Sequence, residues 1–127
     1  MEWQRSEVGN AFFQVFVNMI RLPPAQAKPE EVSRGEAGLR RWYRVLDAHL
    51  AQHEYVAGSD FSAGDIPLGA MTYRYLALEI EREPLVHVQR WYELLCERQA
   101  YRHHVMIPFG RNHEEWQAAE DANAGVQ

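Results

Sequence analysis

Ser62 and Asp65 stand three residues apart in Phe61-Ser62-Ala63-Gly64-Asp65-Ile66, and a hydroxyl beside a carboxylate invites a catalytic reading. The same spacing has a structural use. Ser62 as N-cap accepts a bond from the backbone N–H of Asp65, and the Asp65 carboxylate reaches back to the N–H of Ser62. Phe61 and Ile66 then take the two positions of a hydrophobic staple, and a carboxylate in the first turn suits the helix dipole. Ser62 has no Gly-x-Ser-x-Gly context and no evident His partner, which argues for a buried helix capped from Ser62 rather than for a nucleophile with its base. Gly64 is a poor helix former and Pro67 lacks an N–H, so a slightly irregular first turn is expected.

The remaining polar candidates are weaker. His49 and His53 lie four apart on a predicted helix, a spacing that can chelate zinc. No Cys, Asp or Glu at matching spacing completes a set, and Glu54 falls elsewhere on the helical wheel, so a partly solvated histidine pair is expected. His103 and His104 are adjacent rather than helically spaced. Cys96, the single cysteine, ends the apolar helical stretch Trp91-Tyr92-Glu93-Leu94-Leu95-Cys96 and reads as a buried structural thiol. With one thiol no internal disulfide forms, which fits a reducing, cytoplasmic compartment. There is no Gly-rich phosphate loop and no zinc-finger spacing. These residues therefore assign no catalytic group and no metal.

The elements that position them are helical. Residues Trp3 to Leu22 form a first apolar block ending at Pro23-Pro24, which cannot continue a helix. Phe12, Phe13, Phe16, Val17, Met19 and Ile20 crowd it so densely that contacts on two sides are expected. Pro23 to Pro29 reads as a loop. A second helix spans Glu30 to His53, with Leu39, Trp42, Tyr43, Leu46 and Leu50 at three- and four-residue steps and Glu36, Arg40, Arg44 and Asp47 toward solvent. Gly58-Ser59-Asp60 makes a turn. From Leu68 to Ile80 runs the central helix, carrying Leu68, Met71, Tyr75, Leu76 and Leu78, with few charges before Arg74. After Pro84 another helix spans Leu85 to Arg98, with Val88, Trp91, Tyr92 and Leu95 on its apolar face. Tyr101 to Gly110 forms a short turn of structure, and the tail 111–127 is polar, with Trp116 placed to dock on the domain.

The bulk properties agree with one all-α domain. The chain has 127 residues, 46% hydrophobic and 24% charged, enough to bury one core and unlike a disordered chain. A net charge of -5 with scattered Lys and Arg excludes a basic nucleic-acid stripe. No apolar run spans a bilayer, and Met1-Glu2-Trp3-Gln4-Arg5 is not a signal peptide. The aromatic residues of the first and central helices suit either core packing or a partly open apolar cleft for a small ligand.

One longer string is more specific. Tyr55-Val56-Ala57-Gly58-Ser59-Asp60-Phe61-Ser62-Ala63-Gly64-Asp65-Ile66-Pro67-Leu68 resembles the segment of cytosolic glutathione transferases that opens the central helix of their C-terminal domain. Val45-Leu46-Asp47-Ala48-His49-Leu50 resembles the helix leading into that turn, and Pro84-Leu85-Val86-His87-Val88-Gln89-Arg90-Trp91-Tyr92 the helix after it. Glu2-Trp3-Gln4 is similar to the start of the domain's first helix. Tyr101-Arg102-His103-His104-Val105-Met106-Ile107-Pro108-Phe109-Gly110 is similar to a tail of bacterial members. The likeness covers most of the chain, in order.

The resemblance implies a bundle of about five helices over residues 1–127, the C-terminal domain of a bacterial-type glutathione S-transferase. In that family it packs against an N-terminal thioredoxin-like domain, which binds glutathione and supplies the Ser, Tyr or Cys that activates its thiol. This sequence shows no βαβ pattern and no cis-proline strand motif, so that domain is expected to be missing and the chain alone inactive. The implied role is the hydrophobic co-substrate side of the site, with glutathione as co-substrate of the longer protein. The longer protein would conjugate or transfer glutathione to small apolar electrophiles, or reduce them with it, usually as a homodimer. Family positions carry over to Ser6, Gly9, Asn10, Phe13 and Val17 on the first helix and to Tyr73 and Arg74 on the central one. Ser6, Gly9, Phe13 and Val17 share a helical face, although Phe13 and Val17 would serve equally in a domain or dimer interface. The rival reading is a non-catalytic, transferase-like helical module for protein–protein interaction.

Overall fold

The computed structural model describes residues 3–125; Met1 and Glu2, the latter within the segment compared with the family's first helix, and Val126 and Gln127 of the tail lie outside them. Helix α1 (Gly9–Phe16) is extended at both ends by π-helical turns, Gln4–Val8 and Val17–Arg21. The run stops at Leu22, whose extended backbone is what a following proline imposes. Helix α2 (Pro29–Leu50) starts on a proline, as helices commonly do, and runs beside α1. The two meet closely at Gly35, where a Cβ would stand 2.7 Å from the carbonyl oxygen of Ala11. Asn18, buried beneath the connecting loop, donates to Gln14 O (2.7 Å) and Glu31 Oε2 (2.9 Å) and accepts the Lys28 N–H (2.9 Å). One side chain thus satisfies backbone groups on both sides of the turn.

Helix α3 (Asp65–Ala77) buries Asp65, Leu68, Gly69, Thr72 and Tyr75, a stripe at three- and four-residue steps. Helix α4 (Val86–Cys96) supplies Val88, Trp91 and Leu95 to the same core. Leu68 and Tyr75 of α3 and these α4 residues, together with Val8, Phe12, Val15 and Ile20 and with Leu39, Tyr43, Leu46 and Leu50, form one continuous apolar centre. No strand is present among the described residues; Tyr55 and Gly58 form an isolated bridge in the turn before α3.

The start of α3 departs from the expected capping box. The Ser62 N–H does donate to Asp65 Oδ2 (2.9 Å). The Ser62 hydroxyl, however, accepts the N–H of Gly64 (3.3 Å), and the Asp65 N–H goes to the carbonyl of Ser62 (3.1 Å). The first turn is therefore tight, and the α-helix begins at Asp65 rather than at Ser62. Gly64 and Pro67 account for this: Gly64 is a poor helix former, and Pro67 has no N–H to bond the Ala63 carbonyl, as a helix begun at Ser62 would require. The staple also differs: Ile66 is 55% exposed, while Phe61 meets the ring of Tyr55 and the guanidinium of Arg98.

Asp65 has partners that local spacing does not reveal. Its Oδ1 accepts the indole N–H of Trp91 (2.8 Å) and the backbone N–H of Val56 (3.0 Å). The buried carboxylate joins α3, α4 and the preceding loop. Asp47, expected toward solvent, is half-buried, and its Oδ1 accepts the N–H groups of His87 and Val88 (both 2.9 Å). It caps the N-terminus of α4, where no local side chain does so. In return, Arg90 of α4 donates to the carbonyls of Leu50 (2.9 Å) and His53 (3.0 Å), capping the C-terminus of α2.

The C-terminal third is more structured than a turn and a polar tail. Gln99–His104 forms α5, and His113–Ala124 forms α6, capped by Asn112, whose Oδ1 accepts the Glu115 N–H (3.0 Å). The fold thus has six α-helices among the described residues rather than about five. The sequence of α6 is mostly polar, and its helical state rests on the cap, an Arg111–Glu115 pair and the docking of Trp116.

Candidate functional site

Helices α1 and α3 and the C-terminal segment enclose a cleft of about 580 Å³. Gly9, Asn10, Phe12, Phe13 and Phe16 form the α1 side, Met71 and Arg74 the α3 side, and Phe109 and Trp116 the C-terminal side. Each wall follows from local sequence. Residues 9, 12, 13 and 16 recur at three- and four-residue steps, so one face of α1 turns toward the cleft. Gly9 keeps that wall low near Asn10. Met71 and Arg74 lie three apart on α3, beside the stripe that enters the core.

The wall is a connected set of rings. Phe12 and Phe16 stack with centroids 5.5 Å apart, and Phe16 meets Phe109 edge-on at 5.4 Å. Arg21 lies 5.5 Å from the centre of the Trp116 ring. Gly110, at φ +90°, turns the chain between Phe109 and α6; a Cβ there would come within 2.7 Å of the Trp116 N. That turn sets where Trp116 meets the cleft.

The polar groups of the cleft are few. Asn10 and Arg74 are exposed at its edge, and among the described residues no carboxylate pairs with Arg74. The arrangement suits an apolar body carrying an acceptor or a developing negative charge at one end. Its lining holds no hydroxyl, thiol or imidazole with a base beside it.

Of the seven positions carried over from the resemblance, the structure brings Gly9, Asn10, Phe13 and Arg74 together in this cleft. Ser6, Val17 and Tyr73 do not line it. Ser6 and Val17 lie on the π-helical turns flanking α1, where the wider winding shifts the helical face. Tyr73 faces a separate cavity of about 290 Å³ with Pro108, Phe109 and Arg111, and burial raises its phenol above the ordinary tyrosine value. Phe12, Phe16, Met71, Phe109 and Trp116 were not singled out as site residues. Phe12 and Phe16 share the face of Phe13 and Gly9, a periodicity that would have found them. Phe109 and Trp116 come from far along the chain; Trp116 was expected to dock on the domain, but no local pattern places either ring in the cleft.

The other candidates sit away from the cleft. His49 and His53 stack at 4.4 Å, with His49 Nε2 against the Val56 carbonyl (2.6 Å) and His53 Nδ1 against the His49 carbonyl (3.0 Å). His103 and His104 are exposed on α5. Cys96 is half-buried beside Tyr92, whose phenol is pushed up to about 12, chiefly by burial and then by the thiol. Among the described residues no group of three or more His, Cys, Asp or Glu is placed to hold a metal ion. Among the described residues no helix is long and apolar enough to cross a membrane.

Comparison with known proteins gives one consistent answer. Residues 8–99 match the family described as glutathione S-transferase, C-terminal domain. The chain is 30% identical over 108 residues to glutathione S-transferase GstB of Escherichia coli (strain K12), covering 85% of this chain and 52% of GstB. It is 30% identical over 103 residues to a glutathione S-transferase domain-containing protein of Dictyostelium discoideum, covering 79% of this chain and 39% of that protein. In three dimensions it is similar to the theta class glutathione S-transferase of Xanthomonas axonopodis pv. citri. The apo crystal structure superposes with a TM-score of 0.81 at 34% identity, over 87% of this chain and 58% of that one. The structure with glutathione bound gives 0.82 at 33% identity, over 86% and 57%. The chain spans about half the length of the bacterial relative and under three-fifths of either crystallised chain.

Proposed function

Because the chain belongs to the glutathione S-transferase C-terminal domain family, we propose that its α1–α3 cleft is the co-substrate side of a glutathione transferase site. The observation that carries this reading is the aromatic cleft itself, apolar along Phe12, Phe13 and Phe16 and edged by Asn10 and Arg74. In the longer protein a thioredoxin-like domain holds glutathione and stabilises its thiolate. The thiolate sulfur attacks the electrophilic carbon of the co-substrate; a carbon–sulfur bond forms, and the leaving group departs with its electron pair. This chain's contribution is to hold the apolar body, exclude water and place the developing anion near the Arg74 guanidinium. Glutathione-dependent reduction of an apolar electrophile would use the same cleft.

Phe13, 56% exposed on α1, supports a further contact on that helix. Within this chain one side of α1 enters the core, and a second subunit or the thioredoxin-like domain would cover the other. We assign the assembly as a homodimer acting in the cytoplasm.

The test uses the chain joined to its thioredoxin-like half, with retention on immobilised glutathione and conjugation of chlorodinitrobenzene as readouts. Retention and conjugation are expected. Trp116→Ala and Phe16→Ala should each raise KM for the electrophile about tenfold while leaving KM for glutathione unchanged. No retention and no conjugation would overturn the enzyme reading in favour of a non-catalytic interaction module.

A further inference from the structure

A second cavity, of about 260 Å³, lies where the start of α3 meets α5. Phe61, Ile66, Tyr101 and Val105 give it an apolar wall, and Arg98 and His104 stand among them as its basic members. None of these residues borders the α1–α3 cleft.

The polar groups around this cavity divide into those already used and those available. Asp65 also lines it, but the carboxylate is 1% exposed and its two oxygens accept N–H groups of Val56, Ser62 and Trp91. The Tyr101 hydroxyl donates to the Gly69 carbonyl (2.8 Å). The Arg98 guanidinium lies 3.7 Å from the centre of the Phe61 ring, and among the described residues no carboxylate pairs with it. Stacking holds the guanidinium in place while its N–H groups stay available, which lowers the entropy lost when an anion binds. His104 is exposed beside it. Ile66 keeps more than half its surface exposed in the first turn of α3, an apolar surface that a ligand body would cover.

We propose that this cavity is a binding site for a small amphipathic carboxylate: one ring or a short hydrocarbon chain against Phe61, Ile66 and Val105, with the carboxylate on Arg98. The size fits, since a dry apolar cavity of roughly 150 Å³ already accepts benzene. Charge complementarity selects the acid over a neutral compound of the same shape, because the Arg98 guanidinium at the cavity has no carboxylate partner among the described residues while the Asp65 carboxylate is already hydrogen-bonded.

Isothermal titration with phenylbutyrate and its neutral amide tests this on the 127-residue chain. The acid should bind roughly tenfold more tightly than the amide, the size of one charge-assisted contact. Arg98→Gln should bring the acid down to the level of the amide. Ala100→Phe, an exposed position on the cavity lining, should block both compounds without touching the charge. Phe16→Ala, in the other cleft, should leave both affinities unchanged. Equal affinity for acid and amide, an unaltered Arg98→Gln variant, or a response to Phe16→Ala would each overturn the proposal. None of these readouts involves glutathione, so the transferase reading stands or falls separately.

Discussion

The indole N–H of Trp91 donates to Asp65 Oδ1 at 2.8 Å, across the contact between α4 and α3, with both side chains at or below 1% exposure. The carboxylate that reaches back to the Ser62 N–H therefore also anchors the largest buried side chain of the core. A buried carboxylate is stable only when its oxygens are well supplied with donors, and here the loop before α3 provides a third through Val56.

Asp65→Ala strands the donors of Ser62, Val56 and Trp91 at once and should cost about 3 kcal/mol or more, well above the loss of a simple helix cap. Trp91→Phe removes the indole donor while keeping an aromatic ring and should cost about 2 kcal/mol. Urea unfolding of the two single variants and the double variant measures the coupling. If the two losses simply add, the bond contributes nothing and the account is wrong.

The reciprocal caps between α2 and α4 make a local prediction. Asp47→Ala should destabilise by about 1–2 kcal/mol and speed hydrogen exchange at the His87 and Val88 amides. Arg90→Ala should cost a similar amount, about 1–2 kcal/mol, while leaving those two amides protected and loosening residues 50–54. Uniform acceleration of exchange across the chain in either variant would show that these side chains act only on global stability.

Buried and half-buried tyrosines link stability to alkaline pH. Burial raises the phenols of Tyr43 and Tyr101 strongly, and pushes Tyr92 up to about 12 from an ordinary 10.0. The folded chain thus holds these protons more tightly than the unfolded chain. The stabilisation is complete below pH 10 and is lost as pH rises through about 12. Phenolate absorbance should show Tyr43 and Tyr101 ionising only as helical circular dichroism disappears. Ionisation of all six tyrosines near pH 10 with helicity intact would contradict this.

Local information went far in this chain. The proline pair at 23–24, the three- and four-residue steps of α2 to α4, and the glycine turn before α3 are short-range signals, and they placed the first four helical segments. The reach-back from Asp65 to Ser62 was legible for the same reason, since both groups lie within one turn. Gly9, Asn10, Phe13 and Arg74, singled out through the family resemblance, do meet in one cleft.

What tertiary structure alone decided involves residues far apart in the chain. Asp47 looked like a solvent-facing charge because its helical wheel position says nothing of the unsatisfied N–H groups that α4 brings to it. Asp65 looked like a simple cap because Trp91 is 26 residues away. Phe109, from a segment read as a short turn, and Trp116, from a tail expected only to dock it somewhere on the domain, complete the cleft, and the π-helical turns displaced Ser6 and Val17 from the face that ideal periodicity gives them. By itself the sequence determined where the first four helical segments run and which of their faces are apolar, since both follow from neighbours within a few residues. Which polar group satisfies which buried partner, and which rings close the cleft, depended on packing, because those contacts exist only once distant segments share one core.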